Sequence, residues 1–174
     1  MEDMMKIKVR LMVDSDVAQV VDVENCWDYL NKWGKEGYRN VLRYSYVYHA
    51  LIAEVRKNGA MTELETPRVV GVAVLALLVD HGELCNLIVP PQYLGKEVGQ
   101  LLLGQCLEVA QKRALRRIFL EVRQSNCRAI RFYERNGFQI ISSRSQYYRD
   151  PLEDAWVMER QVATVALRDG CLKT

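Results

Sequence analysis

The sequence feature that most constrains the fold is a strand–helix unit at residues 118–138. Apolar and polar residues alternate from Ile118 to Arg123, which is the period-two pattern of a strand with one buried face. Ser125-Asn126 then offers side-chain oxygens to the free N–H groups at the start of a helix. Asn136-Gly137 is typical of the left-handed turn that ends a helix. The unit therefore predicts a strand joined directly to a short helix.

Two side chains in this unit suit proton transfer. Glu121 lies near the end of the predicted strand, and Tyr133 lies in the helix. A carboxylate that accepts a proton and a phenol that donates one are the groups that a general base and a general acid require. Structural roles are the alternatives: Glu121 could pair with Arg123 or another basic side chain, and Tyr133 could be a packed helix residue. The spacing alone leaves these alternatives open.

Length and charge narrow the class of protein. A chain of 174 residues is typical of one domain with its own core. No apolar run approaches the ~20 residues that span a membrane, and a net charge of +2 is too small to indicate nucleic-acid binding. The longest apolar run, Val69–Val79, predicts a strand buried on both faces. We expect a soluble globular protein that binds neither membranes nor nucleic acid.

The cysteines and histidines indicate neither disulfides nor a metal site. Their spacing has no CxxC or Cys/His pattern, and His49 and His81 are far apart. An odd, scattered set of cysteines without a signal peptide fits free thiols in a reducing cytoplasm. The cysteines are Cys26, Cys85, Cys106, Cys127 and Cys171.

Periodicity along the chain predicts the order β-α-α-β-β-β-α-β-α-β-β, which is an α+β layout. Asp14 and Asp16 are expected to cap the first helix, and His81-Gly82 is expected to form a tight turn between two strands. Residues 143–154 are predicted to be a loop between the last two strands. The other predicted segments are strands 6–12, 46–55, 69–79, 83–89, 118–123, 138–142 and 155–159, a polar loop 56–67, a second helix from about Lys35 and a third helix through Lys112.

The strand–helix unit resembles the second half of the acyltransferase core of the GNAT superfamily of N-acetyltransferases. The resemblance is closest to the bacterial enzymes that acetylate the N-terminus of a ribosomal protein (RimI-like), whose pattern is L-E-V-R-x-S-N-x-x-A-x-x-x-Y-E-x-x-G-F. The residues that match it are Leu120, Glu121, Val122, Arg123, Ser125, Asn126, Ala129, Tyr133, Glu134, Gly137 and Phe138.

This resemblance implies a GNAT (acyl-CoA N-acyltransferase) fold: a mixed, mostly antiparallel twisted sheet flanked by helices on both faces. The GNAT domain would cover residues 1–160, with residues 161–174 as a C-terminal tail. It also implies transfer of an acetyl group from acetyl-CoA to an amine by direct attack, without a metal. Glu121 would be the general base and Tyr133 the general acid, facing each other across a cleft.

The family's other functional positions can be placed in the same way. Backbone groups of Leu87, Ile88 and Val89 would pair with the pantetheine arm, and Asn126 would hold the arm or the start of the helix. Trp27 borders the family's acceptor groove. Tyr147 and Tyr148 match a tyrosine pair that lies against the acceptor backbone in N-terminal acetyltransferases. The resemblance therefore favours a protein or peptide N-terminus as acceptor, in the cytoplasm.

The pyrophosphate loop departs from the family pattern [QR]-x-x-G-x-[GA]. Leu94 replaces the Gln or Arg, and Glu97 replaces the middle glycine. A carboxylate there opposes a pyrophosphate, although backbone N–H groups at a helix start still favour an anion. Two alternatives stay open: an enzyme that acetylates a lysine or a small-molecule amine, and a domain that binds CoA or a protein without catalysis. The expected loop residues are Leu94, Gly95, Lys96, Glu97, Val98 and Gly99.

Overall fold

The computed structural model describes residues 6–56 and 67–163. The observed order of helices and strands confirms the predicted one, with short 3₁₀ turns added at Asp14–Asp16 and Pro91–Tyr93. The elements are β1 (Ile7–Leu11), α1 (Val17–Glu24), α2 (Gly34–Arg43), β2 (Tyr48–Val55), β3 (Arg68–Leu77), β4 (His81–Ile88), α3 (Val98–Lys112), β5 (Arg117–Arg123), α4 (Cys127–Arg135), β6 (Gln139–Arg149) and β7 (Leu152–Gln161).

The strands form one seven-stranded sheet in the order β1-β2-β3-β4-β5-β7-β6. Neighbouring strands are antiparallel except β4 and β5, which are parallel. One core cluster packs α1 and α2 on one face of the sheet, and a second packs α3 and α4 on the other. The fold is therefore the expected α+β arrangement, with helices on both faces of a mostly antiparallel sheet.

The central strand β3 contributes to both cores. Val69, Val72 and Val74 belong to the α1–α2 cluster, whereas Val70 and Leu75 belong to the α3–α4 cluster. These residues are at most 4% exposed, which confirms the predicted strand buried on both faces. A continuous apolar run is what such a strand requires, because each successive side chain meets a different helix layer.

The parallel pairing between β4 and β5 is short. It joins His81–Glu83 to Arg117–Phe119 and goes no further. Beyond that point β4 stays paired to β3 as far as Ile88, and β5 stays paired to β7 as far as Arg123. The sheet therefore opens between the last residues of β4 and the last residues of β5.

Two predicted turns are wrong in position. The β3–β4 turn lies at Leu78–Asp80, closed by a 2.9 Å bond from the Leu78 N–H to the His81 carbonyl, so His81 and Gly82 belong to β4. Most of the predicted loop 143–154 is strand, with only Asp150-Pro151 between β6 and β7. Strand β6 is largely exposed, so its sequence lacks the alternation that marks a half-buried strand.

The predicted capping role of Asp16 is also wrong, because its carboxylate makes no cap bond to α1. It accepts hydrogen bonds from Arg10 Nη1 at 2.7 Å and Nη2 at 2.8 Å, and from the Val13 N–H at 2.8 Å. Arg10 also donates to Glu54 on β2 at 2.8 Å. The guanidinium of β1 thus replaces the helix as the partner of Asp16. Asp14 lies 3.6 Å from Arg39 at the surface.

Most of the predicted tail and of the loop 56–67, including Asn58-Gly59, lies outside the described residues. β7 ends at Gln161, and the Val162 N–H donates to the Arg116 carbonyl at 2.9 Å. The division of the chain at residue 160 stays a prediction.

Within the described ranges, no helix is long and apolar enough to cross a membrane. In the same ranges, no three His, Cys, Asp or Glu side chains are grouped as a metal site would need. The described cysteines, which are Cys26, Cys85, Cys106 and Cys127, are free thiols.

Replacing Asp16 with Asn should destabilise the fold in a pH-dependent way. Burial raises the pKa of Asp16, but the hydrogen bonds from Arg10 and Val13 outweigh it and hold that pKa below its ordinary 3.8. Because the folded-state pKa is lowered, the ionised carboxylate stabilises the fold above pH 3.8. This stabilisation is lost as the pH falls through the folded-state pKa. We expect D16N to cost roughly 2 kcal/mol at pH 7 and less at pH 3, as measured by urea unfolding.

The matched control is Asp14→Asn on the same 3₁₀ turn, where the side chain is 76% exposed and the cost should stay within about 0.5 kcal/mol. Equal costs for D14N and D16N, or a cost for D16N that does not shrink at pH 3, would contradict this explanation.

Candidate active site

A cavity of about 490 Å³ lies where β4 and β5 part. Its walls come from the segment after α1, the end of β4 with the loop that follows, the start of α3 and one face of α4. The lining residues are Trp27, Tyr29, Leu30, Leu87, Ile88, Val89, Tyr93, Leu94, Gly95, Glu97, Val98, Gly99, Gln100, Asn126, Arg128, Ala129, Phe132, Tyr133 and Arg135.

The structure brings together nearly all of the residues predicted to bind the cofactor. Leu87, Ile88, Val89, Asn126 and the loop 94–99 line this cavity, apart from Lys96. The Lys96 ammonium lies 5.5 Å from the centroid of the Tyr93 ring instead. Whether these residues bind a cofactor stays a prediction, but their common location is observed.

The start of α3 has the features of an anion-binding helix end. Leu101 donates the first helical hydrogen bond, to the Glu97 carbonyl at 2.9 Å. The N–H groups of residues 98–100 precede it and have no acceptor within the helix. Val98, Gly99 and Gln100 all line the cavity, so the positive end of the helix dipole borders it.

Glu97 is held in an unfavourable backbone conformation at this helix start. Its φ of 62° lies in the left-handed region, and its side chain is exposed. Glycine adopts this conformation without strain, and glycine is the residue that the family pattern has here. Glu97 therefore occupies a position whose backbone conformation favours glycine.

Two basic side chains line the same cavity as Glu97. Arg128 and Arg135 on α4 are lining residues, whereas Arg131 is exposed and donates to the Cys127 carbonyl at 3.2 Å. The cavity lining thus contains one carboxylate and two guanidinium groups. The charge balance favours an anionic ligand.

Tyr133 lies at the buried end of the cavity and is only 8% exposed. Its ring packs against Phe132 and Phe138, with centroids 5.3 and 5.6 Å away. Burial raises the pKa of Tyr133, and nearby Tyr148 and Cys106 raise it further. The phenol is therefore a neutral hydrogen-bond donor at physiological pH.

Local sequence fixes where α4 carries this phenol. The Asn126 carboxamide accepts a 3.1 Å hydrogen bond from the Ala129 N–H, which confirms the predicted N-cap. Gly137 has a φ of 80°, as the predicted left-handed end requires. The helix is thus bounded at both ends by the residues that marked it in the sequence.

Glu121 does not line this cavity. It lies on the opposite face of β5 from Leu120 and Val122, which pack with Tyr133 in the α3–α4 core. Its carboxylate accepts a 2.7 Å hydrogen bond from Arg144 on β6. The prediction that Glu121 and Tyr133 face each other across a cleft is therefore wrong, because the two side chains lie on different faces of β5. The basic partner of Glu121 is Arg144 rather than Arg123.

Tyr147 and Tyr148 lie on β6, beside Glu121, rather than in a loop. The Tyr148 hydroxyl donates to the Glu121 backbone carbonyl at 3.4 Å, and Arg144 stacks 4.4 Å from the centroid of the Tyr147 ring. Burial raises the pKa of Tyr148 to about 12. The charge of Tyr148 also raises the pKa of Tyr133.

Sequence reasoning missed two charged residues on the Glu121 face. Arg144 fell in the segment predicted to be a loop. Glu83 is the last β4 residue paired to β5; burial raises the pKa of its carboxyl, and the charge of Glu121 raises it further. Neither residue has a local sequence signal, because both are brought to Glu121 by strand pairing.

Trp27 ties the segment after α1 to the end of β4. Its indole N–H donates to the Val89 carbonyl at 3.0 Å, and its ring lines the cavity. Glu24, also missed from the sequence, holds the other end of that segment. Its buried carboxylate accepts hydrogen bonds from the N–H groups of Trp33 at 2.7 Å and Gly34 at 2.9 Å.

The family model described as Acetyltransferase (GNAT) family matches residues 21–138. A Bacillus subtilis protein named putative ribosomal protein bS18-alanine N-acetyltransferase is 29% identical over 153 residues, which is 88% of this chain and 94% of that protein. The ribosomal protein bS18-alanine N-acetyltransferase of Escherichia coli K12 is 36% identical over 88 residues, which is 49% of this chain and 60% of that enzyme.

Solved structures share the fold over almost the whole chain. The crystal structure of the ribosomal-protein-S18-alanine N-acetyltransferase from Escherichia coli has a TM-score of 0.76 at 23% identity, covering 94% of this chain and 98% of that one. The PaiA N-acetyltransferase from Thermoplasma acidophilum in complex with coenzyme A has a TM-score of 0.68 at 20% identity, covering 90% and 99%.

Two replacements of Glu97 should separate the effect of its charge on CoA affinity from the effect of its left-handed backbone on stability. In E97Q the left-handed residue keeps its Cβ but loses its charge, so we expect CoA affinity to rise about threefold with unchanged stability. In E97G the strain is also relieved, and we expect a further gain of roughly 0.5–1 kcal/mol in unfolding free energy. Calorimetric titration with CoA and urea unfolding measure the two effects. Weaker CoA binding by E97Q would show that the carboxylate helps rather than opposes the ligand.

Proposed function

Because this chain belongs to the GNAT family of acetyltransferases, we propose that it transfers the acetyl group of acetyl-CoA to the N-terminal α-amine of a protein or peptide. The chain is an N-acetyltransferase by family; the acceptor and the residue roles are our proposal. The observation that carries it is the cavity at the β4–β5 opening, which runs from the N–H groups starting α3 to the phenol of Tyr133.

The donor groups of the cavity fit acetyl-CoA. The free N–H groups of residues 98–100 and the guanidinium groups of Arg128 and Arg135 would hold the pyrophosphate. Beyond Glu83, no strand among the described residues pairs with the edge of β4 that faces β5. Its backbone groups at Leu87–Val89 would pair with the amides of the pantetheine arm, as a strand edge pairs with an added strand.

The parting of the strands lets the two reactants approach from opposite faces. The thioester would reach the opening from the α3–α4 side, where Tyr133 lies, and the amine from the side of Glu121 and Tyr148. The neutral amine then attacks the thioester carbonyl, the N–C bond forms and the C–S bond breaks. Glu121 would take the proton that the amine loses, directly or through one water.

Tyr133 would stabilise the departing thiolate. An unperturbed thiol has a pKa near 8.5, and burial raises the pKa of Tyr133 well above that of an ordinary phenol. The phenol is therefore fully protonated when the sulfur leaves, and it donates a hydrogen bond to the developing negative charge. This interaction exists only once charge appears on sulfur, so it lowers the barrier rather than tightening binding.

An α-amine is the acceptor that this site supports best. The α-amino pKa of about 7.7–8.0 leaves a substantial neutral fraction at physiological pH, whereas a lysine amine at about 10.4 is almost wholly charged. Relatives named for acetylation of an alanine of ribosomal protein bS18 support the same choice. Trp27, Tyr147 and Tyr148 would then flank the first residues of the acceptor.

The acceptor can be tested with paired peptides. We expect an Ala-starting peptide to be acetylated with acetyl-CoA, and its N-blocked, lysine-containing analogue to react at least 100-fold more slowly, because a lysine amine is about 2.5 pKa units more basic. Mass spectrometry locates the added acetyl group.

Acetyl-CoA should also raise the melting temperature of the protein, since it binds the folded state. Turnover of the blocked peptide alone would rule out the N-terminal assignment.

The two proposed proton-transfer residues should give different kinetic signatures. Tyr133→Phe should lower kcat roughly 100-fold or more with acetyl-CoA affinity unchanged, because it removes a group that acts only at bond cleavage. Glu121→Gln should lower kcat/KM for the peptide most at low pH, where deprotonation of the amine limits the rate. Tyr46→Phe, at a residue 76% exposed and outside the cavity, is the control. Wild-type turnover by Y133F would show that another group assists the leaving thiolate.

A further inference from the structure

Arg123 is a buried cation that the proposed chemistry does not use. It is the last residue of β5 and only 5% exposed. An isolated buried guanidinium is costly, so its position must be stabilised by surrounding acceptors. The positions of those acceptors show which parts of the fold Arg123 joins.

The guanidinium joins two segments that are distant in sequence. Its Nε donates to the Tyr29 carbonyl at 3.2 Å, in the segment between α1 and α2. Its Nη2 donates to the Asp150 carbonyl at 2.7 Å and its Nη1 to the Pro151 carbonyl at 3.0 Å, both in the β6–β7 turn. Backbone carbonyls of two loops are thus fixed by one planar group.

A charged pair and an aromatic stack complete the surroundings. Nη1 also lies 3.2 Å from the carboxylate of Glu153, which accepts a 2.6 Å hydrogen bond from the Ser125 N–H just before α4. The guanidinium carbon lies 4.1 Å from the centroid of the Tyr148 ring, a cation–π contact. Tyr148 therefore has its ring held by Arg123 and its hydroxyl held by the Glu121 carbonyl.

One of the two segments that Arg123 fixes lines the cavity. Tyr29 is a lining residue, and its ring packs 5.5 Å from that of Trp27. The other segment, the β6–β7 turn, directly follows the strand that carries Tyr147 and Tyr148. Arg123 therefore links a wall of the cavity to the turn that follows the tyrosines beside Glu121.

We propose that Arg123 is a positioning residue that sets the acceptor passage: it holds the α1–α2 segment and the β6–β7 turn at a fixed separation and orients Tyr148 between them. This inference rests on the proposed function, since it concerns how the acceptor amine reaches the opening. Arg123 touches neither reacting group, and its effect passes through Tyr29 and Tyr148. A lysine cannot replace it, because one ammonium cannot donate along the same directions as a planar fork.

The test compares Arg123→Lys with Arg117→Lys. Arg117 is on the same strand, but its side chain is 45% exposed and pairs with Glu159 at the surface, 3.4 Å away. We expect R123K to raise the peptide KM roughly tenfold or more and to leave the acetyl-CoA Kd within about twofold. R117K should change neither value. Circular dichroism and calorimetric titration with CoA establish that each variant is folded.

A milder variant keeps the test informative if R123K is unstable. Glu153→Gln keeps the arginine and removes only its charged partner, and it should raise the peptide KM in the same direction by a smaller factor. In addition, Tyr148→Leu and R123K should be non-additive in peptide KM, because both disturb the same side chain. Additive effects would show that Arg123 does not act through Tyr148.

Two results would overturn the proposal. A lowered melting temperature with an unchanged peptide KM would make Arg123 a purely structural residue. Equal increases in peptide KM and acetyl-CoA Kd would mean that it supports the whole cavity rather than the acceptor side. Failure of the proposed function is distinguishable, because the wild-type protein would then not acetylate the peptide, and R123K could be compared on whichever amine the wild type does accept.

Discussion

The early end of pairing between β4 and β5 is the constraint on which the site depends. Strand β4 remains paired to β3, and β5 remains paired to β7. Only the two edges that face each other, one on β4 and one on β5, separate. The N–H and C=O groups on those edges must bond to water or to a ligand. The α3–α4 core joins the two halves of the sheet across this gap, because it contains residues of β3 and β4 as well as residues of β5 and β7.

The opening lies between two groups of side chains that the proposal assigns to one reaction. Tyr133, Arg128 and Arg135 line the cavity together with the start of α3. Glu121, with Arg144 and the tyrosines of β6, lies on the other face of β5. Under the proposed function, the donor would reach the opening from one face and the acceptor from the other.

Local signals in the sequence predicted much of this arrangement. The Asn126 cap and Gly137 bounded α4 correctly, and the motif included Asn126, Ala129 and Tyr133, which line the cavity. Contacts made across strands could not be predicted: Arg144 reaches Glu121 from 23 residues away, and Arg123 reaches Tyr29 from 94. The last two strands were predicted, but the extension of β6 through residues 143–149 was missed because this strand is exposed and carries no hydrophobic alternation.

A crystal structure of the protein with bound CoA tests the central claim most directly. The account predicts the sulfur between β4 and β5, within hydrogen-bonding distance of the Tyr133 hydroxyl, and the pyrophosphate against the N–H groups of residues 98–100. Pantetheine amides should pair with the backbone of Leu87–Val89. A CoA molecule bound outside the opening, or one whose sulfur lies far from Tyr133 with Glu97 occupying the pyrophosphate position, would contradict it.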